Sequence, residues 1–284
     1  MNKKKISKEE FIKFFKPYSQ NVDIADNSAF WKLSDAIIRK IILKNIPAKS
    51  IKENDIIMDA GGGTGRWVCK LSQDYKCRFI LYDLSDDMLE KAKKNISRSD
   101  IQQRVTVTKG DLTNINQIET GSVDCIISIY SPISFIYDKE KATKEMYRVL
   151  KKGGVIIIMG HGYYNALYSK MNNYFASIEE IGNIEKDYTV KWANHVPFLN
   201  VFSKESMEKL LSNAGFKIEK TYGIPVFIQP GLEDFDPKNK QRSQISKALE
   251  NKKYFKNAFK IEMAHNSKPT VVNRGMNIFT AARK

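Results

Sequence analysis

Cysteine and histidine are scarce, at three each in 284 residues. The cysteines (Cys69, Cys77, Cys125) are odd in number and lack the spacing of a disulfide framework or a zinc site. The histidines (His161, His195, His265) are too dispersed to supply a Cys/His cluster, so no metal is expected. There is no uninterrupted apolar run of about 18 residues, which excludes a membrane-spanning helix. The basic start "MNKKKISKEE" lacks the apolar segment of a secretory signal. These absences predict a soluble, cytoplasmic chain whose thiols stay reduced. Arginine is also sparse, at nine of the 47 cationic residues. A formal charge of +15 admits a nucleic-acid partner, but bidentate recognition of phosphate and guanine favours arginine. Lysines scattered over solvated helix faces do not make a binding stripe, so a nucleic-acid partner is possible but not favoured.

Hydrophobic residues make up 42% of the chain, enough for one full core carrying an embedded cap. Residues 1–50 read as helices that form part of this cap. A first helix is interrupted near Pro17; a second is capped by Asn27 or Ser28 and carries Phe30, Leu33, Ile37, Ile38, Ile41 and Ile42 at helical spacing. From residue 54 the rhythm changes. Apolar runs at 55–60, 78–83, 105–111, 123–130 and 154–160 alternate with helix-period segments, including a short piece near 112–119. This alternation predicts an α/β fold with a doubly wound, mostly parallel sheet. Residues 161–201 break it and read as a helical and aromatic cap inserted after the fifth strand. A capped helix ending at Gly215, a strand at 216–224, a basic helical segment at 239–265 and a last strand at 276–283 complete the core, which comprises 51–160 and 202–284.

The stretch "IIMDAGGGTGRW" (56–67) puts glycine-rich backbone directly after the first strand, at the edge where open α/β sheets bind ligands. Gly61 and Gly63 fit the first two positions of a dinucleotide fingerprint, but the third falls on Arg66, with Gly65 one residue earlier. No Gly-Lys-Ser/Thr follows, which disfavours a P-loop. Acids fit the region better. Asp59 lies within the motif, where it would meet a positively charged ligand, Asp83 ends the second strand, where an acid reaches ribose hydroxyls, and Asp111 ends the third.

With those residues, the chain resembles the class I S-adenosylmethionine-dependent methyltransferases, particularly the small-molecule, ubiquinone/menaquinone biosynthesis-like group. "MDAGGGTG", "LYDLSDDMLEKAKKN", "VTKGDL" and "VDCIISIYSPISFIYD…EMYRVLKKGGVIII" are similar to that family's successive motifs, over about residues 51–160. The resemblance implies a seven-stranded, Rossmann-like sheet, S-adenosylmethionine as cofactor and S-adenosylhomocysteine as product. It also implies a cofactor site in which Asp59, Gly61, Gly63 and Gly65 border the methionine part, Asp83 the ribose, Asp111 and Leu112 the adenine, and Met88 the adenosine, with Leu84 and Tyr130 as further cofactor-binding residues. Glycines suit the close passage of an amino-acid end, whose carboxylate turns toward the helix N-terminus.

Methyl transfer is an in-line displacement, so the protein mainly aligns the groups and excludes water. "IYSPIS" after the fourth strand lacks the Asn/Asp-Pro-Pro-aromatic motif of base-methylating relatives. Many small-molecule relatives carry a histidine where Phe135 stands here. His161, following the fifth strand, is therefore the candidate base for an acceptor hydroxyl. Tyr18, Trp31, Phe135, His161, Tyr163, Tyr164 and His195 are the expected acceptor pocket, with Phe14, Phe15, Phe30, Tyr168, Tyr174, Phe175 and Trp192 as further cap rings. The reading is a methyltransferase acting on O, N or C of a small molecule. The alternatives are an RNA or protein methyltransferase that uses the basic surface, and a noncatalytic cofactor-binding protein.

Overall fold

The structure is a computed structural model and describes residues 6–19, 22–23, 28–235 and 242–284. Helix α1 (Lys8–Tyr18) is capped by Ser7, whose hydroxyl accepts the Glu10 N–H. Pro17 does not interrupt it. It sits in the last turn, where one lost N–H bond removes little of the helix, and the helix ends one residue later. Helix α2 (Ala29–Asn45) follows with Ser28 at its N-cap position; Asn27, the other expected cap, lies outside the described residues. The Ser28 hydroxyl meets Asp234 and Ser246 instead of the helix backbone.

The alternating region forms β1 (Ile56–Ala60), α3 (Arg66–Leu71), β2 (Arg78–Asp83), α4 (Asp86–Arg98), β3 (Val105–Lys109) and β4 (Val123–Ser128). Next come α5 (Pro132–Phe135), α6 (Lys139–Val149) and the long β5 (Leu150–Gly162). The insertion holds α7 (Tyr163–Asn172), α8 (Ile178–Asp187), β6 (Thr189–Val190) and β7 (Leu199–Phe202). The chain closes with α9 (Lys204–Asn213), β8 (Lys217–Ile224), α10 (Gln244–Leu249), α11 (Lys252–His265) and β9 (Asn277–Arg283). Of the basic segment expected at 239–265, residues 239–241 lie outside the described ones.

The main sheet runs β3-β2-β1-β4-β5-β9-β8, parallel except for β9, which is antiparallel to both neighbours. Chain order reverses between β1 and β4, the switch point where such sheets open a ligand crevice. Beyond the end of β4, β7 pairs in parallel with His161 and Gly162 of β5, and β6 pairs antiparallel to β7. The insertion thus adds two short strands to the seven expected.

Alternate strand residues feed opposite cores, because side chains alternate across a sheet. Ile57, Leu81, Ile127, Ile157 and Phe279 pack with α2, α3, α4 and α11 on one face. Met58, Tyr82, Ile126, Ile156 and Ile278 pack with α6 and α9 on the other. Helix α2 is therefore a core layer and not cap, and Phe30 is wholly buried in it. Tyr163, Ala166, Ile184, Val190 and Leu199 form a separate small core inside the insertion. Cys77 and Cys125 are buried free thiols, pushed up to about 11 and about 12 by burial.

Three local expectations are corrected. Strand β3 stops at Lys109, so Asp111 lies two residues past it and is not its last residue. Residues 112–119 form turns instead of a helix, held by Glu145 accepting the Ile115 N–H and Arg148 donating to the carbonyls of Ile115 and Ile118. Strand β4 ends at Ser128, because Tyr130 and Ser131 take left-handed backbone, with φ of 62° and 67°, that turns the chain into α5.

Candidate active site

One cavity of about 1200 Å³ opens at the carboxyl edge of β1, β2 and β4 and runs beneath α1 to the insertion. The glycine loop forms its floor. Gly61 and Gly63 have φ of +77° and +53°, a region that favours glycine. A Cβ on Gly61 would strike Pro132, whereas the Cβ position of Gly63 has only Met88 Sδ nearby, at 3.9 Å. The backbone at Gly63 is thus bare toward the cavity. Gly65 lies off the cavity wall: a Cβ there would meet Leu81 at 2.9 Å and Ala92 at 3.5 Å. It takes over the helix-packing task of the fingerprint's third glycine.

Asp83, at the end of β2, lines the cavity, and its two oxygens accept the N–H groups of Gly63 and Ser85, both at 2.9 Å. Burial pushes its carboxyl up, against the pull of those bonds. With the Leu84 N–H also bonded to it, the carboxylate keeps one lone pair for a ligand hydroxyl. Asp59 was expected beside the ligand's cationic end, but it lies beneath the loop and off the wall. The Cβ position of Gly62 is 2.8 Å from its carboxyl, and its Oδ2 is buried without a hydrogen-bond partner. Burial, with Asp83 nearby as the lesser cause, pushes Asp59 up to about 8, so it is largely protonated at neutral pH.

Asp111 lines the cavity beside Leu112 and accepts the N–H and hydroxyl of Thr113 and an ion pair from Lys8 of α1 at 3.0 Å. Burial raises its carboxyl, but these donors prevail and hold it below the usual range. Leu84, Met88 and Tyr130 also line the wall. The Tyr130 hydroxyl donates to Asp35 of α2, which also accepts from Arg66 and Lys70. Arg66 lies over the Tyr130 ring at 5.2 Å and reaches the cavity wall. This Asp35 cluster escaped the sequence reading, since Asp35 lies 31 residues from Arg66 and only the fold joins them. The sole signal was a polar residue in the apolar register of α2.

On the acceptor side, Tyr18, Trp31, Phe135, His161 and exposed His195 line the cavity. Tyr163 and Tyr164 do not: Tyr163 stacks on Tyr188 at 4.6 Å inside the insertion's own core, and Tyr164 is half exposed on its outer side. Phe30 and Phe175 are also off the wall, one buried in the main core and the other exposed. Tyr168, Tyr174, Trp192, Phe14 and Phe15 are on it. A hydrogen-bonded pair not foreseen, Asn165 donating to Gln229 at 3.0 Å, spans from α7 to the segment after β8. The His161 N–H of the backbone donates to Ser134, and burial alone pushes the imidazole down to about 4. It is neutral at physiological pH. Among the described residues no cluster of acids, histidines or cysteines could hold a metal, and no helix is long and apolar enough to cross a membrane.

Residues 57–154 match the family described as "Methyltransferase domain". The chain is similar to the ubiquinone/menaquinone biosynthesis C-methyltransferase of Haemophilus ducreyi, at 21% identity over 64% of this chain and 72% of that protein. In the Enterobacter protein of the same name, the match spans 45% of its length. Among solved structures, a Thermotoga maritima S-adenosylmethionine-dependent methyltransferase aligns with a TM-score of 0.56 and 22% identity, over 97% of this chain and 98% of that one. A geranyl diphosphate C-methyltransferase from Streptomyces coelicolor, solved with S-adenosylhomocysteine, aligns at 0.56 and 13%, over 88% and 79%. Residues 57–154 thus carry a methyltransferase domain, and the chain shares the fold of these S-adenosylmethionine-dependent enzymes. The bare backbone at Gly63 and the remaining lone pair of Asp83 fit that cofactor.

Proposed function

We propose that this chain methylates a small-molecule acceptor held between α1 and the inserted cap, in a cytoplasmic setting. The observation that carries the reading is the continuity of one cavity from the glycine loop to the aromatic cap. Its volume, about 1200 Å³, exceeds the roughly 300–1000 Å³ of a site for one small ligand, which leaves room for two. S-Adenosylmethionine supplies, when bound, a sulfonium methyl group open to in-line displacement. Asp83 would hold the ribose, Asp111 and Leu112 the adenine, and the glycine loop with Arg66 the amino-acid end. The cap rings would orient the acceptor and exclude water.

His161 would take the proton that an acceptor hydroxyl loses. At about 4, the imidazole is too weak to ionise a free phenol-like hydroxyl of pKa about 10 beforehand. An oxygen becomes strongly acidic as its bond to carbon forms, and then a weak base suffices. The proton therefore leaves late, during transfer. An amine acceptor would need only to arrive unprotonated.

The +15 charge favours a second reading, a macromolecular substrate. Calorimetry with S-adenosylhomocysteine, beside tRNA binding over a salt series, separates the two. One nucleoside site per chain with weak RNA affinity supports the small-molecule reading. Tight RNA binding with a steep salt slope would replace it, and no nucleoside binding would remove both.

A further inference from the structure

We infer that the face built by α2, α10 and α11 is a docking surface for an anionic phospholipid bilayer, which brings the mouth of the cavity to the membrane. The inference concerns where the chain sits and holds whichever acceptor is methylated.

The charge of the chain is gathered on one helix layer. Helices α2, α10 and α11 carry nine lysines and arginines against two acids, whereas α6 and α9 on the opposite layer carry six against four. Both acids of the first layer turn inward: Asp35 accepts from Arg66, Lys70 and Tyr130, and Glu262 accepts three backbone N–H groups. Outside, Lys40 and Lys44 of α2, Lys247 of α10 and Lys253, Lys256 and Lys260 of α11 are exposed, and among the described residues none of them pairs with an acid. Glu250, between α10 and α11, is taken by Arg242. The sequence scatters these lysines over residues 40–260, and the packing of α10 and α11 on α2 collects them.

Charge alone fits any polyanion, and the side chains among the lysines decide between them. Lys253, Lys256 and Lys260 recur at helical spacing along one side of α11, and Tyr254 and Ile261, 45% and 51% exposed, form the adjoining stripe. Phe227, 42% exposed, packs edge-on against His265 at the end of the same helix, at 5.7 Å. Apolar groups of this size beside lysines suit a bilayer, whose headgroups take the cations while its acyl boundary takes the apolar side chains. An RNA backbone offers Ile261 no apolar layer, and Arg39 and Arg242, which could grip phosphate bidentately, are already paired with Asp74 and Glu250. Phe175 and Ile178 of the cap are more exposed still, but Ile178 adjoins Glu179 and Glu180, which an anionic surface repels.

The face meets the cavity at the start of α2. Trp31 donates its indole N–H to the Asp234 carbonyl at 2.8 Å, and the Ser246 hydroxyl of α10 donates to the Asp234 carboxylate at 2.6 Å. On either side of Asp234, Leu232 and Phe235 line the cavity while 57% and 49% exposed. A chain resting on this face therefore turns that rim toward the lipid.

The test is sedimentation of the full chain with vesicles of pure phosphatidylcholine and of equal parts phosphatidylcholine and phosphatidylglycerol, at near-physiological salt. Three variants are compared with wild type. Lys253→Glu/Lys256→Glu/Lys260→Glu reverses charge on the face, Lys141→Glu/Lys144→Glu/Lys209→Glu makes the same change in net charge on the opposite layer, and Tyr254→Ser/Ile261→Ser removes the apolar stripe. Every substituted side chain is exposed, and urea midpoints report that each variant is folded. The expected result is binding to the mixed vesicles only, weakened about 100-fold or more by the α11 charge variant and about tenfold or more by the apolar one. The opposite-layer variant should stay within about two-fold, because salt screens charges beyond a Debye length. Absence of binding to the mixed vesicles would overturn the inference, as would equal weakening by the two charge variants, or displacement by tRNA with no effect of the apolar variant. No arm needs the cofactor, so this test and that of methyl transfer can fail separately.

Discussion

Asp83 accepts the backbone N–H of Gly63 at 2.9 Å, so the acid that ends β2 also fixes the loop that follows β1. The same carboxylate shapes the cradle and faces into it. Asp83→Ala should lower S-adenosylhomocysteine affinity by about 100-fold or more, about 2.7 kcal/mol, because loop and ribose contact fail together. Asp83→Asn keeps one acceptor oxygen and should lose less. Calorimetry on both checks this, and equal affinity for Asp83→Ala and wild type would contradict it.

Gly63→Ala and Gly65→Ala share the strain of a left-handed backbone, about 1–2 kcal/mol. They differ in what the new methyl group meets. At Gly65 it strikes Leu81 behind the loop, and at Gly63 it enters the cavity. Urea unfolding should show Gly65→Ala as the less stable variant, while calorimetry should show Gly63→Ala as the weaker binder.

Asp59 gives a pH prediction with a definite sign. An acid whose folded pKa is about 8 and whose unfolded pKa is near 3.9 binds more protons when folded, so between these values its contribution to stability falls as pH rises. Asp59→Asn removes that slope. Its stability relative to wild type should rise from pH 5 to pH 9 by about 2 kcal/mol or more, as read from urea midpoints. A constant difference across the range would place the proton elsewhere.

Glu262 of α11 is fully buried and accepts the N–H groups of Val226, Phe227 and Ile228 at 2.8–2.9 Å. The segment it holds runs on into Gln229, which bridges to Asn165 at the cavity. Glu262→Ala leaves three donors without partners and should cost about 2–4 kcal/mol. A melting temperature within a degree of wild type would refute it.

The sheet was legible because two-sided burial writes the inner strands as apolar runs, as in "RFILYD", while the edge strand β3 shows only the alternation of "VTVTK", and the glycines and acids lie within a few residues of those strand ends. The cap was less so. Tyr163 and Tyr164 are adjacent on α7, where neighbours point about 100° apart, and neither turns toward the cavity; Tyr168 and Asn165 on the same helix do. Without the helix phase, aromatic content alone does not separate pocket from packing. Asp59 misled for a related reason. A carboxylate inside a ligand-binding motif can lie beneath the backbone, and only the space under Gly62 reveals it. The left-handed pair Tyr130 and Ser131 was unreadable because neither residue type favours that backbone. It is held by the Tyr130 bond to Asp35 and the Ser131 bond to Asn277.

The most direct measurement is the fate of the methyl group. The chain is incubated with methyl-labelled S-adenosylmethionine and a cell extract, which is then divided into low-mass, RNA and protein fractions. The expected result is label in the low-mass fraction, reduced at least about tenfold by Asp83→Ala through lost cofactor binding. Label confined to RNA or protein, or a low-mass signal untouched by Asp83→Ala, would contradict a small-molecule methyltransferase built on this cavity.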